Sequence, residues 1–493
     1  MIKKIICCLL LLFGIIGLVS CDNDSTKDDG DGDLVFNENG EVVYDNVILK
    51  MFSVTTGDDA ITQDSIVEQF NELYKGLIKV EVEHISRYDL ENSLQSIMEF
   101  DREAAPDIIF NHGARTREYA ENEWINPIDI AYEKGNLYLD KDDFVESLLE
   151  STSVDGRVYG IPQDVHSTMI EIRTDILEKN GLKIPSNYKE LVEVCESAIK
   201  LAAEGNLWIR GENSDGFDSS EWRRASRNKA YEPFPIAYGD MWVHEFLGYT
   251  AAIQNGAVLT DSQGYPGWNT TETANGIQVL RDFSYPTATS VNKLALSKDY
   301  GADYDVGYSP FLRGECIFKL NGPWEYQKEI DEFDVLLRKD GGSSNITTIS
   351  LSNMFAVDSS KQYASKIKGE GHAIMLSSTV TSMTKKCAVA VFADYMAYNS
   401  GITWAARGHL PAVKSVENST EYRESAQYKA YIKNWGSCND YVVYPPTQYY
   451  SMVDSYFKNA LQKSMSGTFI AQSIKDILNE EAEDCIDYIE LYL

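Results

Sequence analysis

Between residues 45 and 110 the spacing of apolar positions switches repeatedly. In "DNVILKMFSVTT" (45–56) they crowd into a strand-like run that stops at Gly57 and Asp58. Ile66, Val67, Phe70, Leu73, Tyr74 and Leu77 then fall at helical spacing, and Ile78, Val80 and Val82 alternate with charged residues as a strand does. Leu90, Leu94, Ile97 and Met98 share a second helical face. "PDIIF" (106–110) is a short apolar run behind a proline, the pattern of a strand buried on both faces. Strand, helix, strand, helix, strand predicts βαβ units around a parallel sheet.

The pattern restarts after "GRVYGIPQD" (156–164). "STMIEI" reads as a strand and "TDILEKNG" as a short helix stopped by Gly181. "SNYKELVEVCESAIKLAAEGN" follows as an amphipathic helix, with Asn187 and Glu190 spaced like a capping box and Gly205 as the stop. Two separate α/β patterns imply two lobes. Residues 205–236, rich in Gly, Ser, Asn, Arg and Pro, break the rhythm as a surface insertion would. Helices resume at "DMWVHEFLGYTAAIQ" and "TETANGIQVLRDF", and the chain ends in two more, "SYFKNALQKSM" and "AQSIKDILNEEAEDCIDYIELYL".

The first residues follow a different logic. Lys3 and Lys4 precede an apolar run from Ile5 to Val19, shorter than the roughly 20 residues a spanning helix needs. Residues 1–20 therefore read as a signal peptide. Leu18, Val19, Ser20 and Cys21 resemble the lipobox of bacterial lipoproteins, which implies cleavage before Cys21 and a lipid, palmitate included, on that cysteine as membrane anchor. Asp22 to Asp33 has no aromatic or aliphatic residue to bury, so residues 21–44 are expected to form an acidic tether. About 460 residues remain beyond it, enough for two cores.

The formal charge of −32 excludes a nucleic-acid surface, which needs surplus Lys and Arg. After removal of the signal and lipidation of Cys21, five cysteines are left: Cys195, Cys316, Cys387, Cys438 and Cys485. They are scattered and have no C-x-x-C spacing, so they indicate neither a zinc site nor a disulfide framework and are expected mostly to be buried apolar residues. The six histidines include no i, i+4 pair, and no metal or cofactor is expected. "DGDGD" (29–33) starts like an EF-hand loop, but Leu34 and Gly40 stand where Gly and Glu are needed. Phosphate loops, dinucleotide turns, zincin helices and nucleophile elbows do not occur. An enzyme is not expected.

Four stretches carry a family resemblance: "PDIIFNHGARTREYAENEWINPID" (106–129), "VYGIPQDVHSTMIEIRTDILEKNGLKIPSNYKELVE" (158–193), "FLRGECIFKLNGPWEY" (311–326) and "ARGHLPAVKS" (406–415). In this order they resemble the extracellular solute-binding proteins of ABC importers, the group that includes maltodextrin and other sugar binders. The resemblance implies an α/β, two-lobe periplasmic-binding-protein-like (type II) fold in which the chain crosses three times between lobes. Here the crossings would fall near Tyr159 to Pro162, Phe333 to Leu336 and Gly408 to Pro411. The first lobe would be 45–159 plus 335–409 and the second 160–334 plus 410–493, with 339–370 a second insertion.

The implied function is a monomeric substrate-binding lipoprotein on the outer face of the bacterial cytoplasmic membrane. It would capture a sugar or oligosaccharide by hinge closure and present it to the transmembrane subunits of an ABC permease. The same fold holding a peptide, polyamine or glycerophosphodiester is the alternative, and a surface glycosidase or an adhesin comes after it. A sugar has apolar C–H faces and a rim of hydroxyls, which aromatic rings and fixed polar groups satisfy respectively. Trp324 in "NGPWEY" matches the tryptophan that stacks on sugar in maltodextrin binders. Asn111, His112 and Arg115 follow a strand end, where open α/β sheets bind ligands, and Asp58 does likewise. Asp164 and His166 come directly after the first crossing, and Arg407 with His409 stand at the third. Asp240 with Trp242 complete the candidate set, with Tyr444 drawn from the aromatic-rich "VVYPPTQYY".

Overall fold

The computed structural model describes residues 33–211, 221–240, 243–298, 300, 304–326, 329–330 and 345–492. The signal segment, Cys21, the acidic stretch before Asp33, Trp242 and the crossing expected near Phe333 to Leu336 lie outside these residues.

The predicted βαβ units form the first sheet. Strand β1 (Val47–Ser53) leads into helix α1 (Gly57–Leu73), β2 (Ile78–His84), α2 (Arg87–Phe100) and β3 (Ile108–His112). Both β2 and β3 pair with β1 in parallel, Val47 opposite Ile78 and Met51 opposite Ile108. Helix α1 turns Ile66, Val67 and Phe70 inward, while α2 buries Leu90, Leu94 and Met98 behind a cap in which Ser86 accepts from the Asp89 N–H. All five residues of β3 are buried, as its unbroken apolar run requires. Later parts of the chain complete this sheet: β4 (Ile125–Asn126), β5 (Gly160–Pro162) and β11 (His372–Ser377). Strand β11 lies antiparallel to β3, with His372 opposite His112, and it also pairs with β4 and β5.

The second lobe is built on β7 (Met169–Arg173), flanked antiparallel by β8 (Phe318–Asn321) and β9 (Ile346–Ile349). Its best-marked helix, α3 (Tyr188–Glu204), has the predicted ends. Asn187 accepts from the Glu190 N–H, and Gly205 closes the helix at φ +70°. The return half of the cap departs from the expected box, because Glu190 accepts from the backbone N–H and hydroxyl of Ser186 rather than from Asn187. The chain ends in α5 (Tyr450–Met465) and α6 (Ile474–Tyr492), after α4 (Met383–Asp394) on the first lobe. Among the described residues no helix is long and apolar enough to cross a membrane, and the five cysteines are free and buried.

Two boundaries differ from those expected. Residues 335–409 are expected in the first lobe, but Ile346 pairs with Arg173 and Ile349 with Ile170, so β9 belongs to the second sheet. Strand β10 (Ile367–Lys368) likewise pairs with β13 (Tyr441–Val442), and the chain re-enters the first sheet only at His372. The 339–370 segment thus supplies a strand rather than a mere insertion. The tether also ends earlier than residue 44. Asp33 accepts from the N–H groups of Met383 and Thr384 at the start of α4, and Val42 is buried in the core. In the 205–236 stretch, Trp208–Ile209 pairs with Arg223–Arg224.

Candidate functional site

Three chain segments lie side by side between the two sheets. Strand β6 (Asp164–Val165) pairs with β12 (Leu410–Pro411) on one side, and His166 forms a bridge with Glu370 on the other. The Gln163 N–H donates to the His372 carbonyl at 2.8 Å and the Ala412 N–H to the Gln163 carbonyl at 3.3 Å. Glycine permits this closeness. A Cβ on Gly371 would lie 2.4 Å from the Asp164 carbonyl oxygen. Gly408, at φ +97°, passes so near Pro323 that a Cβ would come within 2.4 Å of that ring.

Asp164 is the centre of this floor and has no solvent exposure. Its Oδ1 faces His166 Nδ1 at 3.1 Å and its Oδ2 faces His372 Nδ1 at 2.9 Å. Trp404 donates its indole N–H to Oδ2 at 2.5 Å, and His409 Nδ1 stands 3.7 Å from Oδ1. The other nitrogen of His409, Nε2, reaches Asp59 at 3.2 Å, and the His409 ring stacks on Trp404 with centroids 4.3 Å apart. His112 completes the ring cluster, 4.8 Å from His372 and 5.8 Å from His166.

Burial alone would raise the Asp164 carboxyl, but the charges of His372 and His409 and the hydrogen bonds from His166 and His372 hold it well below the usual range. For His409 burial works against charge, yet Asp59 and Asp164 on either side push it up to about 10. His166 goes the other way: desolvation, only partly offset by its bond to Asp164, brings it down to about 4. His112 is also held well below the ordinary imidazole range, by burial and then by Arg87.

Above the floor the lobes meet through polar side chains. Arg87 on α2 donates to Glu245 of the second lobe at 2.8 Å, and Glu245 in turn lies 3.4 Å from Lys458 on α5. Arg115 is held by Glu91 at 2.6 and 3.1 Å, reaches across to Ser451 and lies over the Tyr450 ring. Trp324, half-buried, stands edge-on to His166 at 5.7 Å and 6.4 Å from Phe246.

The structure therefore brings together Asp164, His166, His409, His112 and Trp324 of the residues expected from sequence, with Arg115 on the rim. Asn111 points inward instead, donating to the Tyr119 hydroxyl while its Oδ1 accepts from the His112 N–H. Asp58 is exposed and pairs with Arg407 at 2.7 Å. Asp240 sits at the turn before residues 243–248, its carbonyl accepting from the His244 N–H. Tyr444 has no exposure and packs behind Tyr450 and Tyr249. His372, Trp404, Asp59, Arg87, Glu91 and Glu245 escaped sequence reasoning, since none stands in a recognisable motif, although Asp59 directly follows Asp58 and Trp404 lies shortly before His409.

Residues 65–433 match the family model described as bacterial extracellular solute-binding protein. The chain belongs to that family. Members bind a solute outside the cell, and the floor and rim just described occupy the junction between the two halves of this solute-binding protein. Solved structures share its fold. The maltose-bound MalE3 protein of T. maritima is 17% identical, with a TM-score of 0.62 over 89% of this chain and 99% of that one. The sugar-binding protein MalE of Xanthomonas citri is 14% identical, with a TM-score of 0.66 over 90% and 99%. An ABC substrate-binding protein of Listeria monocytogenes in complex with cycloalternan is 16% identical, with a TM-score of 0.63 over 90% and 100%. The solute-binding protein is thus a mixed α/β molecule of the type II, two-lobed kind.

Proposed function

We propose that this solute-binding protein captures a sugar or oligosaccharide between its lobes and hands it, unaltered, to the transmembrane subunits of an ABC permease. A lipid on Cys21 holds it at the outer face of the cytoplasmic membrane, where it works as a monomer. What supports the sugar reading most is the placement of Trp324. An indole half-buried beside His166 and Phe246, between two polar rims, offers a flat apolar surface to a sugar face and hydrogen-bonding groups to its hydroxyls. Proteins of the same fold with maltose or cycloalternan bound are consistent with this. A phosphoester fits less well, because Arg115 and Arg87 already have Glu91 and Glu245 as partners.

Capture follows from differential contact. A solute that touches both lobes only when they close stabilises the closed state and no other. A thermal-shift screen of the chain from residue 22 onward, with maltodextrins, other oligosaccharides, peptides, polyamines and phosphoesters, tests the reading. A ligand at a hundred times its dissociation constant adds about 2.7 kcal/mol of stability. Trp324→Ala is expected to abolish that gain while leaving the unliganded melting point nearly unchanged. Shifts from non-sugars alone would remove the sugar assignment.

A further inference from the structure

Four side chains on the hinge floor have a feature that sugar capture does not use. Asp164, His166, His372 and His409 are all buried, and each offers a ligand atom within 4.8 Å of the others. The Nδ1 atoms of the three imidazoles face one carboxylate, at 3.1, 2.9 and 3.7 Å. In a tetrahedral site with metal–donor bonds of about 2.0–2.1 Å, neighbouring donors stand about 3.3 Å apart, within this spread.

The surroundings are those of ligand supports. Asp59 binds His409 Nε2, which aims Nδ1 at Asp164, and that Nδ1 is buried without a hydrogen-bond partner. Carboxylate, imidazole and inward-facing nitrogen in this order orient a metal ligand. Trp404 fixes the carboxylate in the same way from the far side, through its bond to Oδ2. All four donors come from the three crossing segments, so a cation held there would tie them together.

We propose that Asp164, His166, His372 and His409 form a closed, four-ligand site for a divalent transition-metal cation of the zinc type. Three imidazoles and one carboxylate favour zinc or cobalt over magnesium and calcium, which require oxygen ligands. Each imidazole would bind through Nδ1, the nitrogen that now faces Asp164, leaving Nε2 as the outer nitrogen of the ring. The site adjoins the solute cleft, since the Trp324 ring stands 5.7 Å from that of His166.

The test uses the full chain, purified in mild detergent and stripped with a chelator. One equivalent of Co2+ is expected to bind with the intense visible absorption of a tetrahedral site, to be displaced by Zn2+, and to be unaffected by Mg2+ or Ca2+. Asp59→Asn, which keeps all four donors, should weaken Co2+ by about 10–100-fold, and His372→Gln by more. The melting point of each variant in chelator, compared with that of the parent, separates lost binding from lost fold. Absence of stoichiometric Co2+ or Zn2+ uptake by the parent chain would overturn the proposal. So would undiminished binding by a folded His372→Gln variant.

Discussion

Asp394 ends α4 inside the first lobe, where Tyr132 donates to its Oδ1 at 2.7 Å. Desolvation, countered only by that bond, pushes its carboxyl up to about 7. A folded state that keeps this proton longer than the unfolded chain loses stability as pH rises from about 4, the ordinary carboxylate range, to 7. Asp394→Asn retains an acceptor for Tyr132 and removes the titration. Its unfolding free energy should equal that of the parent near pH 4 and exceed it above pH 7, by roughly 1–2 kcal/mol after allowance for partial exposure. A difference that does not change between pH 4 and pH 8 would assign the gain to something other than this proton. At the same scale lies what sequence spacing concealed. His112, His166, His372 and His409 are far apart in the chain, and the pairing of β3 with β11, the pairing of β6 with β12 and the bridge from His166 to Glu370 make them neighbours.

At the scale of elements the chain announces itself better. The first βαβ units and the ends of α3 were legible because each is specified locally, by period and by cap. Asn187→Ala deletes one such cap and is expected to cost about 1 kcal/mol in denaturant unfolding while leaving solute affinity alone. A loss well above 2 kcal/mol would mean that Asn187 has a role beyond its bond to Glu190. Strand β9 was not legible. "ITTI" is only four residues long, and its ladder with β7 decides which lobe owns it. The tether misled for a related reason: Asp33 looks like one more acidic residue until α4 arrives to be capped.

Across the whole molecule, Arg87 and Glu245 join the rims of the two lobes. Glu245 is held well below the ordinary range: burial opposes its charge, but Arg87 and Lys458 together outweigh it. Glu245→Gln loosens that contact without orphaning a cation, since Arg87 keeps Glu91 and Lys458 keeps Asp454. Small-angle scattering should then report a larger radius of gyration for the unliganded variant than for the parent, and the same compact value for both at saturating solute. Identical unliganded profiles would mean that this pair does not govern closure. The glycine-tight packing of the crossing segments carries a mechanical corollary. Because each is laced to its neighbour by backbone bonds, none can flex by itself, and the lobes have a single axis about which to swing. Whatever solute nudges one half therefore turns the other through a fixed arc, so any permease that docks across both halves meets one recurring outline, whichever cargo is inside.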